Sequence, residues 1–83
     1  MNKKIIMYAL STCIYCQNAK AWFADQNIEY DCVDVDLLEE SEKFSVLKEI
    51  KEKVGMVSFP TIIIGDTVIK GYKPERYREA LDL

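Results

Sequence analysis

Histidine is absent from the 83 residues. Cys–His nucleophilic catalysis is therefore excluded, and a zinc site loses its most usual partner to cysteine. Long apolar runs are missing too. The N-terminal "MNKKIIMYAL" has a six-residue apolar stretch, Ile5 to Leu10, with no small-residue cleavage site. That is too short for a signal peptide's apolar region or a transmembrane helix. Lys and Arg form no cluster: eleven basic residues face fourteen acidic ones for a net charge of -3, with the signs interspersed. A nucleic-acid surface would need concentrated positive charge. No internal repeat, low-complexity tract or linker is visible.

What is present fits one domain spanning residues 1–83, because the chain is too short for two. Its 49% apolar content can supply a modest core. The expected element order is β-α-β-α-β-β-α. Residues 4–9 read as a first strand. Residues 13–26 read as a helix, with Cys16, Ala19 and Phe23 recurring at spacings of three and four and Trp22 beside them. Residues 28–36 are rich in β-branched and aromatic types and read as a second strand.

Asp36 is expected to cap a second helix, with Glu39 at the capping-box position. Phe44, Leu47, Ile50 and Val54 form its expected buried stripe, and Gly55 its stop. Two β-rich runs flank Gly65–Asp66, the signature of a tight hairpin. Pro74 suits the first position of a last helix, with Tyr77, Ala80 and Leu81 facing inward. The first two strands should pair in parallel through a right-handed crossover, the hairpin should extend the sheet antiparallel, and helices should cover both faces.

The chemistry concentrates in "STCIYCQNAK", where Cys13 and Cys16 stand three apart. A zinc clip, a structural staple and a redox dithiol all use that spacing. The staple fits poorly with an odd cysteine count of three and with the expected cytoplasmic setting, where structural disulfides are rare. Zinc wants four ligands, and Cys32 is the only other thiol. An iron–sulfur cluster shared between two chains stays open. A cysteine between a strand and a helix meets the helix N-terminus, where backbone N–H groups and the dipole favour the thiolate. Cys16, one turn later on the same face, is placed to resolve a mixed disulfide formed on Cys13.

Cys13-Ile14-Tyr15-Cys16 after a strand resembles the glutaredoxin active site, usually Cys-Pro-Tyr-Cys. "EYDCVDVD" is similar to that family's second strand, and "SFPTIIIGDTVIKGY" to its Thr-Val-Pro strand, hairpin and glycine segment. The resemblance implies a thioredoxin-like (glutaredoxin-type) α/β fold with a four-stranded mixed sheet, and dithiol–disulfide exchange. It implies a cis bond from Phe59 to Pro60 opposite the cysteines, with the Phe59 backbone pairing with substrate. A proline that merely opens a strand is the plainer reading of Pro60. Three departures stand out: Ile14 replaces the usual proline, Leu10 replaces a common basic residue, and Gly71 is followed by Tyr72, Lys73 and Pro74 in place of an acidic pair. That "GYKPER" tail is similar to NrdH redoxins, which are usually reduced by thioredoxin reductase.

Other residues carry two readings each. Tyr15 can shield the thiol or line a substrate groove, or simply be an exposed aromatic. Cys32 reads as a packed or half-exposed strand residue, Trp22 and Phe23 as core rather than binding groups, and Lys20 as a solvated lysine rather than a source of positive potential two turns after Cys13. Asp31, Asp34 and Asp36 need no metal on a strand and at a helix cap. The resulting expectation is a monomeric oxidoreductase in the cytoplasm, without a bound cofactor or metal. Cys13 and Cys16 would be catalytic, and Tyr15, Phe59, Pro60, Gly71 and Tyr72 would bind substrate. Partners would be disulfide-bearing proteins and either thioredoxin reductase with NADPH or glutathione, with no nucleic acid and no membrane. The rival is a metal or iron–sulfur binding module using the same cysteine pair.

Overall fold

The structure, a computed structural model, describes residues 3–83. Its backbone follows the expected order: β1 (Ile5–Ala9), α1 (Ile14–Asp25), β2 (Asp31–Asp34), a 3-10 turn (Val35–Leu37), α2 (Glu40–Val54), β3 (Thr61–Ile64), β4 (Thr67–Lys70) and α3 (Pro74–Leu81). The four strands form one sheet in the order β2-β1-β3-β4. β1 pairs parallel with β2 and antiparallel with β3, and β3 pairs antiparallel with β4. No helix among the described residues is long and apolar enough to cross a membrane.

Strand pleating divides the apolar residues between two faces. Ile5, Met7, Ala9, Ile62 and Ile64 pack with Cys16, Ala19 and Phe23 of α1 and Tyr77 of α3. Tyr8 instead joins Ile50 of α2 and Val35, with Ile6, Leu10 and Ile63 packed alongside. Side chains alternate faces along a strand, so successive residues of β1 serve different cores. The sheet is therefore buried on both sides, as the long apolar runs of β1 and β3 require.

Helix ends follow local chemistry. Asn27 adopts φ 56 after α1, a left-handed conformation that asparagine tolerates better than most residues. Gly55 closes α2 at φ 88 with its N–H on the Lys51 carbonyl. Pro74 is at the start of α3, where its missing N–H costs nothing.

Three sequence expectations need correction. β2 is four residues rather than nine, because among the described residues it is an edge strand paired with β1 alone, in the register Ile6↔Asp31 to Ala9↔Asp34. Asp36 does not cap α2: the chain first makes the 3-10 turn, α2 starts at Glu40, and the Asp36 carboxylate binds Ser11. Phe44 is 72% exposed rather than buried. At 100° per residue it lies about 120° around α2 from Ile50, while Val46, Leu47 and Val54 share the Ile50 side and pack on the sheet.

Candidate active site

One end of the sheet gathers the segments that the sequence singles out. The register pairs Ala9 with Asp34, Tyr8 with Thr61 and Thr61 with Lys70. Residues 10–13, 35–36, 58–60 and 71–72 therefore all leave the strands at that end. The ladder continues one step beyond β3 and β4, where the Gly71 N–H donates to the Pro60 carbonyl at 2.7 Å. The Phe59–Pro60 peptide bond is cis and Pro60 is fully buried. Phe59 is half-buried and packs against both cores.

Between β1 and α1 the chain makes a tight turn, closed by the Cys13 N–H on the Leu10 carbonyl at 3.1 Å. Ser11 at its corner is held from two directions. Its N–H donates to Asp36 Oδ1 at 2.8 Å and its hydroxyl to Asp36 Oδ2. Its carbonyl accepts from Gln17 Nε2 at 3.2 Å. The Ser11 donors hold the Asp36 carboxyl below its ordinary range, the hydroxyl most and then the N–H. This partnership joins residues 25 apart and was invisible in the sequence. The only signal was an aspartate suited to accepting N–H groups, and that signal equally fits a helix cap.

Cys13 is the N-cap of α1, with extended backbone (φ -82, ψ 121), and is partly buried. Its Sγ accepts the N–H of Cys16 at 3.3 Å. Cys16 is completely buried. Burial pushes its thiol up to about 12, the hydrogen bond with Cys13 adds to the rise, and a hydrogen bond at Leu10 and the charge of Lys20 pull the other way. The two sulfurs thus differ: one caps a helix at the surface, and the other is a protonated thiol in the core. Both are free cysteines.

The flanking residues are mostly apolar. Ile14 and Tyr15, next to Cys13, are 66% and 61% exposed. Tyr72 is partly exposed beside Gly71, whose φ of 90 suits glycine alone. Leu10 is half-buried against the α2 side of the sheet. Lys73 is exposed.

Lys20 is not a free solvated lysine. It forms an ion pair with Asp34 at 2.8 Å, both side chains largely covered, and that bond raises the Lys20 ammonium above its ordinary range. Cys32 is neither packed nor half-exposed but exposed on edge strand β2. Trp22 is partly buried and packs edge-on against Phe23 and Tyr77, as a core residue should. Among the described residues, no three of His, Cys, Asp or Glu come together as a metal-binding group. Tyr77, unremarked as a site residue in the sequence, is fully buried, and its hydroxyl donates to the Gly71 carbonyl.

Comparison with known proteins agrees with this geometry. The family model described as Glutaredoxin matches residues 5–69. Glutaredoxin 1 of Rickettsia prowazekii (strain Madrid E) is 38% identical over 77 residues, covering 86% of this chain and 76% of that protein. Glutaredoxin-2, mitochondrial, of Bos taurus is 30% identical over 70 residues, which is 84% of this chain and 43% of the relative. The chain thus spans less than half the length of such mitochondrial relatives. Among solved structures, Methanosarcina acetivorans methanoredoxin superposes with a TM-score of 0.90 at 43% identity, covering 96% of this chain and 85% of that one.

Proposed function

The chain belongs to the glutaredoxin family, and on that premise we propose that it is a thiol–disulfide oxidoreductase working through Cys13 and Cys16. The observation that carries the reading is the contact between the pair: a surface Sγ accepting a helix N–H, with a buried thiol one turn behind it. In this reaction the Cys13 thiolate attacks one sulfur of a substrate disulfide, and the other sulfur leaves as a thiolate. Cys16 then gives up its proton and attacks Cys13 Sγ. The second substrate sulfur is released, and a Cys13–Cys16 disulfide remains. Two electrons pass to the substrate, and two protons end on its thiols.

In this reading Tyr15, Gly71 and Tyr72 border the reacting sulfur, Phe59 offers its backbone to an extended substrate segment, and Pro60 faces the cysteines. The setting is the reducing cytoplasm, and the protein acts as a monomer. Its electron donor is a thioredoxin reductase fed by NADPH, in preference to glutathione. Tight capture of an anionic tripeptide calls for a cation near a carboxylate and an acid near the amine. Leu10, Tyr72 and Lys73 stand where those groups would be. Losing one or two charge-assisted bonds at about 1.5–3 kcal/mol each weakens glutathione capture at least about tenfold.

The test follows NADPH consumption with a disulfide substrate, at matched protein concentration, under each donor system. Faster turnover with thioredoxin reductase is expected. Efficient turnover with glutathione and none with thioredoxin reductase reverses the donor assignment and leaves the dithiol chemistry standing.

A further inference from the structure

We propose that Asp36 is a positioning residue for Cys13, acting through Ser11. The proposal rests on the reading of Cys13 as the attacking thiol. Asp36 hydrogen-bonds Ser11 and neither cysteine. Its two oxygens take both donors of Ser11, the N–H at 2.8 Å and the hydroxyl, at the corner of the turn that delivers Cys13 to the head of α1. The far side of that turn is closed by Cys13 N–H to Leu10 O at 3.1 Å. Gln17, in the second turn of α1, holds the Ser11 carbonyl. The turn is thus tied to the segment after β2 on one side and to α1 on the other.

The position of Cys13 Sγ follows from this turn. As N-cap, Cys13 has extended backbone, and its sulfur reaches the Cys16 N–H only while the preceding residues hold their course. A carboxylate accepting two donors makes a stronger tie than a neutral acceptor. The bound state also keeps Asp36 ionised well into acid, since Ser11 holds its carboxyl low. Asp36 therefore serves throughout the neutral range as a fixed strut, without exchanging protons.

A competing effect has the opposite sign. A negative charge bound to Ser11, which lies two residues before Cys13, disfavours a second negative charge on the Cys13 sulfur, so if charge alone mattered, removing it would make Cys13 more reactive. Two variants separate the effects. Asp36→Asn removes the charge and the paired carboxylate but keeps the shape. Ser11→Ala keeps the charge and removes the hydroxyl donor.

The experiment measures iodoacetamide alkylation of Cys13 in the reduced full-length protein from pH 5 to 9, with the labelled cysteine mapped by mass spectrometry and urea unfolding recorded in parallel. Both variants are expected to lower the neutral-pH rate by about threefold or more, a fraction of what one charge-assisted hydrogen bond contributes. Both should move the pH profile to higher pH. The double variant should lose little beyond the worse single one, because both cut the same tie. A faster rate in Asp36→Asn with Ser11→Ala unchanged overturns the proposal in favour of charge. Altered urea midpoints with unchanged rates and profiles reduce Asp36 to scaffold. Label on Cys16 instead of Cys13 refutes the underlying nucleophile assignment, an outcome distinct from the other two.

Discussion

The backbone N–H of Cys16 points at the Sγ of Cys13 from 3.3 Å, so the fully buried residue of the pair helps hold the partly buried one in place. Two thiols of the same motif are thereby made chemically unequal. Cys13 is reachable, whereas Cys16 is fully buried and its thiol is pushed up to about 12. At pH 7 a thiol of that kind is almost wholly protonated, and the thiolate is the reactive form. Alkylation of the reduced protein at pH 7 should therefore label Cys13 at least about a hundredfold faster than Cys16. Peptide mapping after short exposure checks this, and comparable labelling of both sites contradicts it. Cys32, exposed on β2, is expected to be labelled as well, so it is best replaced by serine beforehand.

The Lys20–Asp34 pair lends itself to a pH experiment. Its bond raises the Lys20 ammonium above the ordinary lysine value, so the folded state binds that proton more tightly than the unfolded chain. The stabilisation is fully present below the unfolded lysine value of about 10.4 and fades as pH rises through the higher folded value. A double-mutant cycle with Lys20→Met and Asp34→Asn should give a coupling of about 0.5–1 kcal/mol at pH 7. The coupling should hold to about pH 10 and shrink above it. A coupling that grew with pH would falsify the assigned cause.

Tyr77 ties α3 to the glycine segment. Its hydroxyl donates to the Gly71 carbonyl, and its ring stacks on Phe23 with centroids 5.5 Å apart. Tyr77→Phe keeps the ring and removes the hydrogen bond, leaving the carbonyl without its donor. A loss of about 1–2 kcal/mol is expected in urea unfolding. An unchanged midpoint would mean that water replaces the hydroxyl at no cost.

Phe44 and Ile50 test which side of α2 is buried. Ile50 is 1% exposed, and its truncation to alanine should cost about 2–4 kcal/mol. Phe44→Ser, at a position 72% exposed, should stay within about 0.5 kcal/mol of the parent. The reverse ranking in chemical denaturation contradicts the orientation of α2 described above.

These residues also mark where the sequence stopped being readable. The strand before Cys13, the helix after it, the Gly65 turn and Pro74 at the head of α3 were all legible, because each depends on neighbours within a few positions. The closeness of Cys13 and Cys16 was legible for the same reason. The partners of Asp36 and Lys20 were not: Ser11–Asp36 spans 25 residues and Lys20–Asp34 spans 14, and only the pairing of β1 with β2 brings those ends together. A local rule found the right chemistry for Asp36, a carboxylate accepting N–H groups, and attached it to the wrong donor. Phe44 failed differently. The helical period allowed it at the margin of the stripe, and only packing against the sheet decides which residues the margin excludes.

The measurement that bears most directly on the account is a single-turnover oxidation that needs no electron donor system. Protein reduced with dithiothreitol and freed of it is mixed with excess disulfide substrate, then quenched with acid. Intact mass and peptide mapping follow, for the parent and for Cys13→Ser and Cys16→Ser. The account predicts one Cys13–Cys16 disulfide and two substrate thiols per parent chain, no reaction in Cys13→Ser beyond slow adducts on Cys32, and a mixed disulfide trapped on Cys13 in Cys16→Ser. A parent chain whose two cysteines stay reduced, or a mixed disulfide trapped on Cys16 in Cys13→Ser at the parent's rate, would contradict it.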